Sequence, residues 1–345
     1  MQLREEGLSR EIGLTNFDAQ HLIMVIKNGI EIASNQVCFS LLDPRAAREL
    51  SQVAQDRDVA ILAFGTLAGG FLSDRWAGQP EPDNIPDWSR MKYKRYIDAT
   101  GGWGPFQSFL SALSDVAQKH EASLTNIATA WTLDHVSVHA AIIGARLTEV
   151  DHRTDNLWAL DISLNDDDRA CIQAVTDNFI CIPGDCGDEY SKPPFLTASG
   201  DLSHHIDTLP TVFDVVDFRL GRKRTDSGTI WETKAGFARA LRDGNGILVS
   251  GTTATDPNGY VICEGDAEGQ TVYILDKVLA AIQDLGGLPE DVARTRIFLR
   301  HKSDWESVSR VHAHYSGVAR PTNTLVGGLD LVGPYLVEIE AEAIL

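Results

Sequence analysis

The chain has 345 residues, enough for two domains that each bury a core, and 43% hydrophobic against 23% charged residues describes a folded protein. A formal net charge of -19, with no Lys and Arg cluster interleaved with aromatics, repels phosphate backbones and excludes nucleic acid as a partner. No apolar run approaches the roughly 18 residues of a membrane span and no basic-then-apolar leader opens the chain, so a cytoplasmic protein with no membrane partner is expected.

From the start the chain alternates strand and helix. Ile12 to Phe17 reads as a short strand, and Asp18 caps a helix carrying Leu22, Ile23 and Ile26. Asn35 to Phe39 is a second strand, followed after Pro44 by a helix with Ala46, Ala47, Leu50, Val53 and Ala54 on one face. Val59 to Phe64 is a continuous apolar run of the kind a strand buried on both faces requires, ending at the Gly65 and Gly69-Gly70 turn. The polar, proline-bearing stretch Trp76 to Gly104 reads as irregular. Helices follow near Phe106 to Lys119 and Leu124 to Asp134, the second capped by Ser123, and Ala140 to Ile143 is the last strand of this half. Such alternation predicts a parallel α/β architecture, either an open sheet or part of a barrel.

Four segments resemble the aldo/keto-reductase family, in order and at similar spacing: Ile12-Gly13-Leu14-Thr15-Asn16-Phe17, Asn35-Gln36-Val37, Phe64 through Gly70, and Ile143-Gly144-Ala145-Arg146 with Asp155-Asn156. The match covers residues 1–207, including a tail from Gly184 to Phe195 similar to an extension in one branch. It implies half of a (βα)8 barrel, strands five to eight. The Asp, Tyr, Lys and His that reduce carbonyls in the family belong to its first four strands and are expected to be absent. The resemblance further implies a partial NADP site. Asn16 and Gln36 would face the nicotinamide amide, Phe64 would stack on the ring, and Arg146 and Asn156 would hold the 2′-phosphate and adenine; a guanidinium suits a phosphate monoester because its planar fork donates two hydrogen bonds. No cofactor is required on this reading, and NADP remains an option at the partial site. The alternative is a structural or partner-binding remnant.

After Pro210 the texture changes to strands separated by turns, placing a boundary near Leu209 and a second domain over 208–345. Gly246 to Gly251 is a strand and Asp256-Pro257-Asn258-Gly259 its turn. Val272, Leu275, Val278, Leu279, Ile282 and Leu285 mark a long helix that stops at Gly286-Gly287. A strand from Thr295 to His301, a helix from Asp304 to Tyr315 and strands from Asn323 to Leu329 and Tyr335 to Glu342 complete the domain. In the last strand Val337, Ile339 and Ala341 alternate with Glu338, Glu340 and Glu342, so the carboxylates occupy the face opposite the apolar set. A carboxylate row not turned to the core meets water or another subunit, where it is paired or chemically useful.

Val249-Ser250-Gly251, Gly265-Asp266 with Gln270, Arg294-Thr295-Arg296, Asp304-Trp305, Arg320-Pro321 and Leu336 through Ala341 resemble the RidA family, also called YjgF. That resemblance implies a sheet with two helices on one face, so the fold class is α/β then α+β, and a homotrimer with small-molecule pockets between subunits. The imine-hydrolysing members carry an arginine fifteen residues before the first glutamate of the final motif. Here that position is Asn323, and a tyrosine common near the pocket is Phe237. Loss of the bidentate cation argues against an amino-acid-derived imine and for a neutral or carbonyl-rich ligand.

The expected catalytic residues are therefore Glu338, as acid/base or water holder, and Asn323. Phe237, Arg239, Ser250 and Arg320 are the expected ligand-binding set, with Arg320 as a replacement cation. Each has a plainer alternative: an interface ion pair for Glu338, a backbone contact for Asn323, a surface salt bridge for Arg320. Ser250 lacks a nucleophile elbow, and His312 and His314 at i,i+2 share no metal face. The group Cys181, Asp185, Cys186, Asp188, Glu189, His204 and His205 lacks ligand spacing, so no metal is expected. The five cysteines, scattered and odd in number, read as reduced thiols. Three readings stay open: proton-transfer chemistry in the RidA-like domain (imine or enamine hydrolysis, tautomerisation, cyclisation), an NADP-dependent oxidoreductase completed by another chain, and a non-catalytic assembly module.

Overall fold

The structure, a computed structural model, describes residues 2–144, 152–182, 184–191 and 211–345. It divides into two compact units, Met1–Ala19 with Glu31–Thr208, and Gln20–Ile30 with Leu209–Leu345. The boundary read near Leu209 lies outside the described residues.

In the first unit β1 (Gly13–Thr15), β2 (Ser34–Cys38), β3 (Ala60–Phe64) and β4 (Val138–Ile142) form a parallel sheet in chain order. Helix α1 (Ala19–Lys27) follows Asp18 directly and, from Gln20 on, is counted with the second unit; α2 (Glu49–Asp56) buries Leu50, Val53 and Ala54, as its spacing requires. Strand β3 departs from expectation. Ile61 and Ala63 are fully buried, but Ala60, Leu62 and Phe64 are only half-buried. Its apolar run is thus covered on one face, while the other carries Leu62 and Phe64 beside Gln36, the register partner of Leu62.

The stretch from Trp76 to Gly104 is also corrected, since it contains helix α3 (Trp88–Ala99), opened by Asp87 accepting from the Arg90 amide at 3.0 Å. Helix α4 (Trp103–Lys119) buries Phe106, Phe109, Leu110 and Leu113, each contributing about 1.5–3 kcal/mol. Helix α5 (Leu124–Leu133) starts with a reciprocal capping box between Ser123 and Asn126. Beyond β4 come α6 (Arg153–Leu157), α7 (Asp166–Thr176), which packs on α4, and α8 (Asp188–Ser191).

The second unit is a seven-stranded mixed sheet. Its strands are β5 (Asp214–Phe218), β6 (Arg222–Asp226), β7 (Ala240–Asp243), β8 (Gly246–Thr253), β9 (Val292–Leu299), β10 (Thr322–Gly327) and β11 (Val337–Ile344), in the order β10-β9-β11-β8-β7-β6-β5. Only β9 and β10 run parallel. A short helix α9 (Ile230–Ala235) precedes β7. The long helix α10 (Ala267–Asp284) lays Val272, Leu275, Val278 and Ile282 against Ile297, Val337 and Ile339. It packs beside α11 (Trp305–Ser316), whose His312 meets Thr295 of β9 on the same face. Both helices cover one side of the sheet, and no helix among the described residues is long and apolar enough to cross a membrane.

Candidate active site

Strand β11 is an interior strand of its sheet, between β9 and β8, and alternation sorts its side chains. Val337, Ile339, Ala341 and Ala343 are buried under the helices, while Glu338, Glu340 and Glu342 are half-buried on the open face. Antiparallel register sets each glutamate opposite a residue of β9 that shares its face: Glu342 faces Arg294, Glu340 faces Arg296 and Glu338 faces Phe298. Arg296 pairs with Glu340 and lies 3.2 Å from Glu342, which also has Arg294 at 3.5 Å. Glu338 faces no cation across the ladder. Burial and the like charge of Glu340 push its carboxyl above the ordinary value, against a weaker pull from Arg239.

On the other side of β11 the ladder to β8 is interrupted. Register passes from Ile339–Thr252 to Ala341–Val249, so Ser250 and Gly251 together oppose Glu340, a β-bulge. Here the Glu338 carboxylate packs on Gly251 so closely that any β-carbon there would collide with Oε1. The bulge carbonyls are held from below by Arg239, whose Nη1 donates to Gly251 O at 3.0 Å, Ser250 O at 3.4 Å and Thr252 Oγ1 at 2.6 Å. That guanidinium is buried, lies 5.4 Å from the Phe237 ring centroid, and is neutralised by Glu232 at 3.0 Å. Glu232 in turn accepts from Ser227 Oγ at 2.6 Å.

These contacts redistribute the expected roles. Arg239 is turned inward as a support of the bulge, Phe237 is half-buried beside its guanidinium, and Ser250 Oγ donates to Ala238 O at 2.8 Å. Within one chain Asn323 does not join Glu338. It is the register partner of Thr295, level with Ala341 and on the helix-facing side, where its Oδ1 accepts from Thr295 Oγ1 at 3.3 Å. Glu338 points from the opposite face of the sheet, with β9 between the two strands. Arg320 also lies apart, because it precedes β10, which starts at Thr322 level with Arg294, while Glu338 is level with Val326; those four residues of strand alone are about 13 Å. Within one chain it cannot act as the replacement cation.

The sequence also gave no notice of Lys277, buried on α10 with its Nζ donating to Thr255 O at 2.8 Å. Burial, with the charge of Arg239, lowers its pKa to about 8. Its only signal was a lysine amid the apolar spacing of a core helix.

In the first unit the strand ends carry the residues expected to meet a nicotinamide. Asn16 adopts a left-handed φ of 59°, its backbone amide donates to Gln36 O at 2.9 Å, and its buried Oδ1 has no hydrogen-bond partner among the described residues. An orphaned acceptor of this kind fits the amide donor of a carboxamide. Gly187 closes over it, since a β-carbon there would strike Asn16 O. Phe64 has the Lys92 ammonium 5.0 Å from its ring centroid. Asn156 lines a cavity of about 720 Å³ with Gly65, Thr66, Arg90, Ser123 and His152. Arg146, His204 and His205 lie outside the described residues; Glu189 is paired with Arg45 at 2.9 Å.

The profile of the aldo/keto reductase family matches residues 1–177, and that of endoribonuclease L-PSP matches residues 229–345. The chain belongs to the aldo/keto reductase family and carries a fused RidA-type domain. The RidA-type part is similar to the 3-aminoacrylate deaminase RutC of Acinetobacter baylyi, 34% identical over 110 residues, 32% of this chain and 86% of that protein. The NADH-specific methylglyoxal reductase of Escherichia coli is 24% identical over 184 residues, 51% of each chain. Among solved structures, Rv2704 of Mycobacterium tuberculosis, a member of the YjgF/YER057c/UK114 family, is 35% identical and covers 36% of this chain and 99% of its own, with a TM-score of 0.33. The chain spans about half the length of the curated methylglyoxal reductase it matches.

Proposed function

We propose that the RidA-type domain transforms a small neutral imine, enamine or related carbonyl compound, with Glu338 moving the proton or holding the water. The observation that carries this reading is the Glu338 carboxylate itself, half-buried over the Gly251 bulge, opposite Phe298 instead of an arginine, and shifted toward its protonated form. A carboxyl held above its ordinary value and free of any facing cation suits general acid/base chemistry, whereas Glu340 and Glu342 are tied to cations. Both arginines on this face of β9 are committed to those glutamates, which supports a ligand without a carboxylate. Resemblance to a deaminase family supports hydrolytic release of an amine, and the half-buried open face supports a homotrimer with the ligand between subunits. The test compares ammonia release from a neutral enamine and from its carboxylated counterpart. The neutral compound is expected to be preferred, and Glu338→Gln to lower its turnover by about 10²-fold or more while light scattering still reports a trimer. Full turnover in that variant would sink the assignment.

A second reading is favoured by the orphaned Asn16 Oδ1. It assigns the first domain an NADP site, with Asn16 and Gln36 toward the carboxamide and Asn156 at the adenosine end of the 720 Å³ cavity. When bound, the cofactor would supply or accept a hydride. The check is quenching of protein fluorescence by NADPH, which Asn16→Ala is expected to weaken by about tenfold; no quenching by NADPH removes this reading.

A further inference from the structure

Lys92 lies on α3 and is 9% exposed. Its ammonium is enclosed by three rings, at 5.0 Å from the centroid of Phe64, 5.0 Å from Tyr93 and 4.8 Å from Tyr190. Among the described residues its one hydrogen bond goes to the Tyr190 hydroxyl, 2.5 Å away. Lys27, Lys94 and Lys119 each meet a carboxylate, but among the described residues none pairs with Lys92. An amine taken out of water without a counter-ion loses the hydration that favours its charged form, and the neutral amine is a nucleophile toward carbonyl carbon. Phe64 and Tyr190 are only half-buried, and Tyr93 and Gly65 also line the 720 Å³ cavity, so a small molecule has a route to the enclosure.

We propose that Lys92 and Tyr190 form a covalent site for small aldehydes, binding them reversibly as an imine. Neutral Nζ attacks the carbonyl carbon, the C–N bond forms, and the displaced π pair on oxygen takes the Tyr190 hydroxyl proton. The phenolate recovers a proton from the attacking nitrogen, giving a neutral carbinolamine. A second proton from Tyr190 lets the hydroxyl leave as water, and loss of the remaining N–H proton to the phenolate leaves C=N. Amine and aldehyde become imine and water, with no oxidant or reductant, and hydrolysis reverses the sequence. Burial lowers Lys92, with Cys38, Glu189 and Asp43 acting against it, and burial raises Tyr190 so that it holds its proton until it is needed.

The full chain is incubated with glycolaldehyde and sodium cyanoborohydride, which traps imines, and modified lysines are located by peptide mass mapping. Lys92 is expected to be labelled about tenfold faster than the exposed Lys223, Lys234 and Lys302, because a larger share of its amine is neutral and Tyr190 assists the addition. Tyr190→Phe is expected to slow labelling at Lys92 by about 10²-fold without changing the exposed lysines. Labelling of Lys92 no faster than the exposed set, preferential labelling of the other buried lysine, Lys277, or an unchanged rate in Tyr190→Phe would each overturn the proposal.

Discussion

The carboxylate of Glu338 rests on the backbone of Gly251, where no other residue leaves room for Oε1. A methyl group there meets the far end of a flexible side chain and no other atom closer than the same carboxylate, so the glutamate can swing aside at small cost. Gly251→Ala is therefore expected to change stability by less than about 1 kcal/mol yet to abolish turnover in the RidA-type domain. Urea unfolding and enamine turnover on the same preparation separate the two effects.

Raised protonation of Glu338 has a signed consequence for stability. A carboxyl whose folded pKa lies above its unfolded 4.5 favours the folded state while protonated, and that advantage is lost as pH rises from 4.5 through the folded value. Glu338→Gln removes this liability. The variant should melt higher than the parent at pH 8, and the gap should close as the pH is taken below 4.5; thermal melts across that range read it directly.

Arg45 is buried between Asp43 at 2.8 Å and Glu189 at 2.9 Å, and its Nη1 donates to Asp185 O at 2.7 Å. Burial raises Glu189 even with the arginine present, and Asp43 adds to the rise. Arg45→Met leaves two buried carboxylates without their cation, and denaturant unfolding is expected to show a loss of about 3–5 kcal/mol.

Asp168 behaves in the opposite sense to Glu338. Burial would raise it, but hydrogen bonds from Lys119, the Asn165 amide and His120 bring it down to about 2. Its contribution is complete above the unfolded value of 3.8 and is lost as pH falls through about 2. Asp168→Asn should lower stability at pH 7 by about 1–2 kcal/mol and leave the variant nearly equal to the parent below pH 2, followed by circular dichroism on acid titration.

The parallel strands and the long helices were legible because their apolar residues recur with a clear period, as in Val272, Leu275, Val278 and Ile282. Helix α3 was not. Its buried stripe is made of Lys92, Tyr93, Tyr96 and Ile97, and a lysine stem with two tyrosines does not register as apolar. Strands β5, β6 and β7 were hidden for a related reason: β6 reads Arg222-Lys223-Arg224-Thr225-Asp226, with only Thr225 fully buried. Alternation in the last strand correctly put Glu338 on the open face. Counting fifteen residues back to Asn323 does not bring it beside Glu338 within one chain, because separation along the chain carries no information about which face a residue on another strand occupies. That depends on register, here Asn323 with Thr295 and Thr295 with Ala341.

The pairing of β9 with β11 works as a three-position comparison in which the glutamates are alike and their partners differ. Arg294 and Arg296 hold Glu342 and Glu340 as counter-ions, and the next residue on that face of β9 is Phe298. One side chain thus decides whether the third carboxylate is fixed in its charged form or left free to exchange a proton. An arginine in place of Phe298 would extend the ion-pair ladder by one rung and turn Glu338 into its neighbours' equivalent. What distinguishes a base from a strut on this strand is written on the strand beside it.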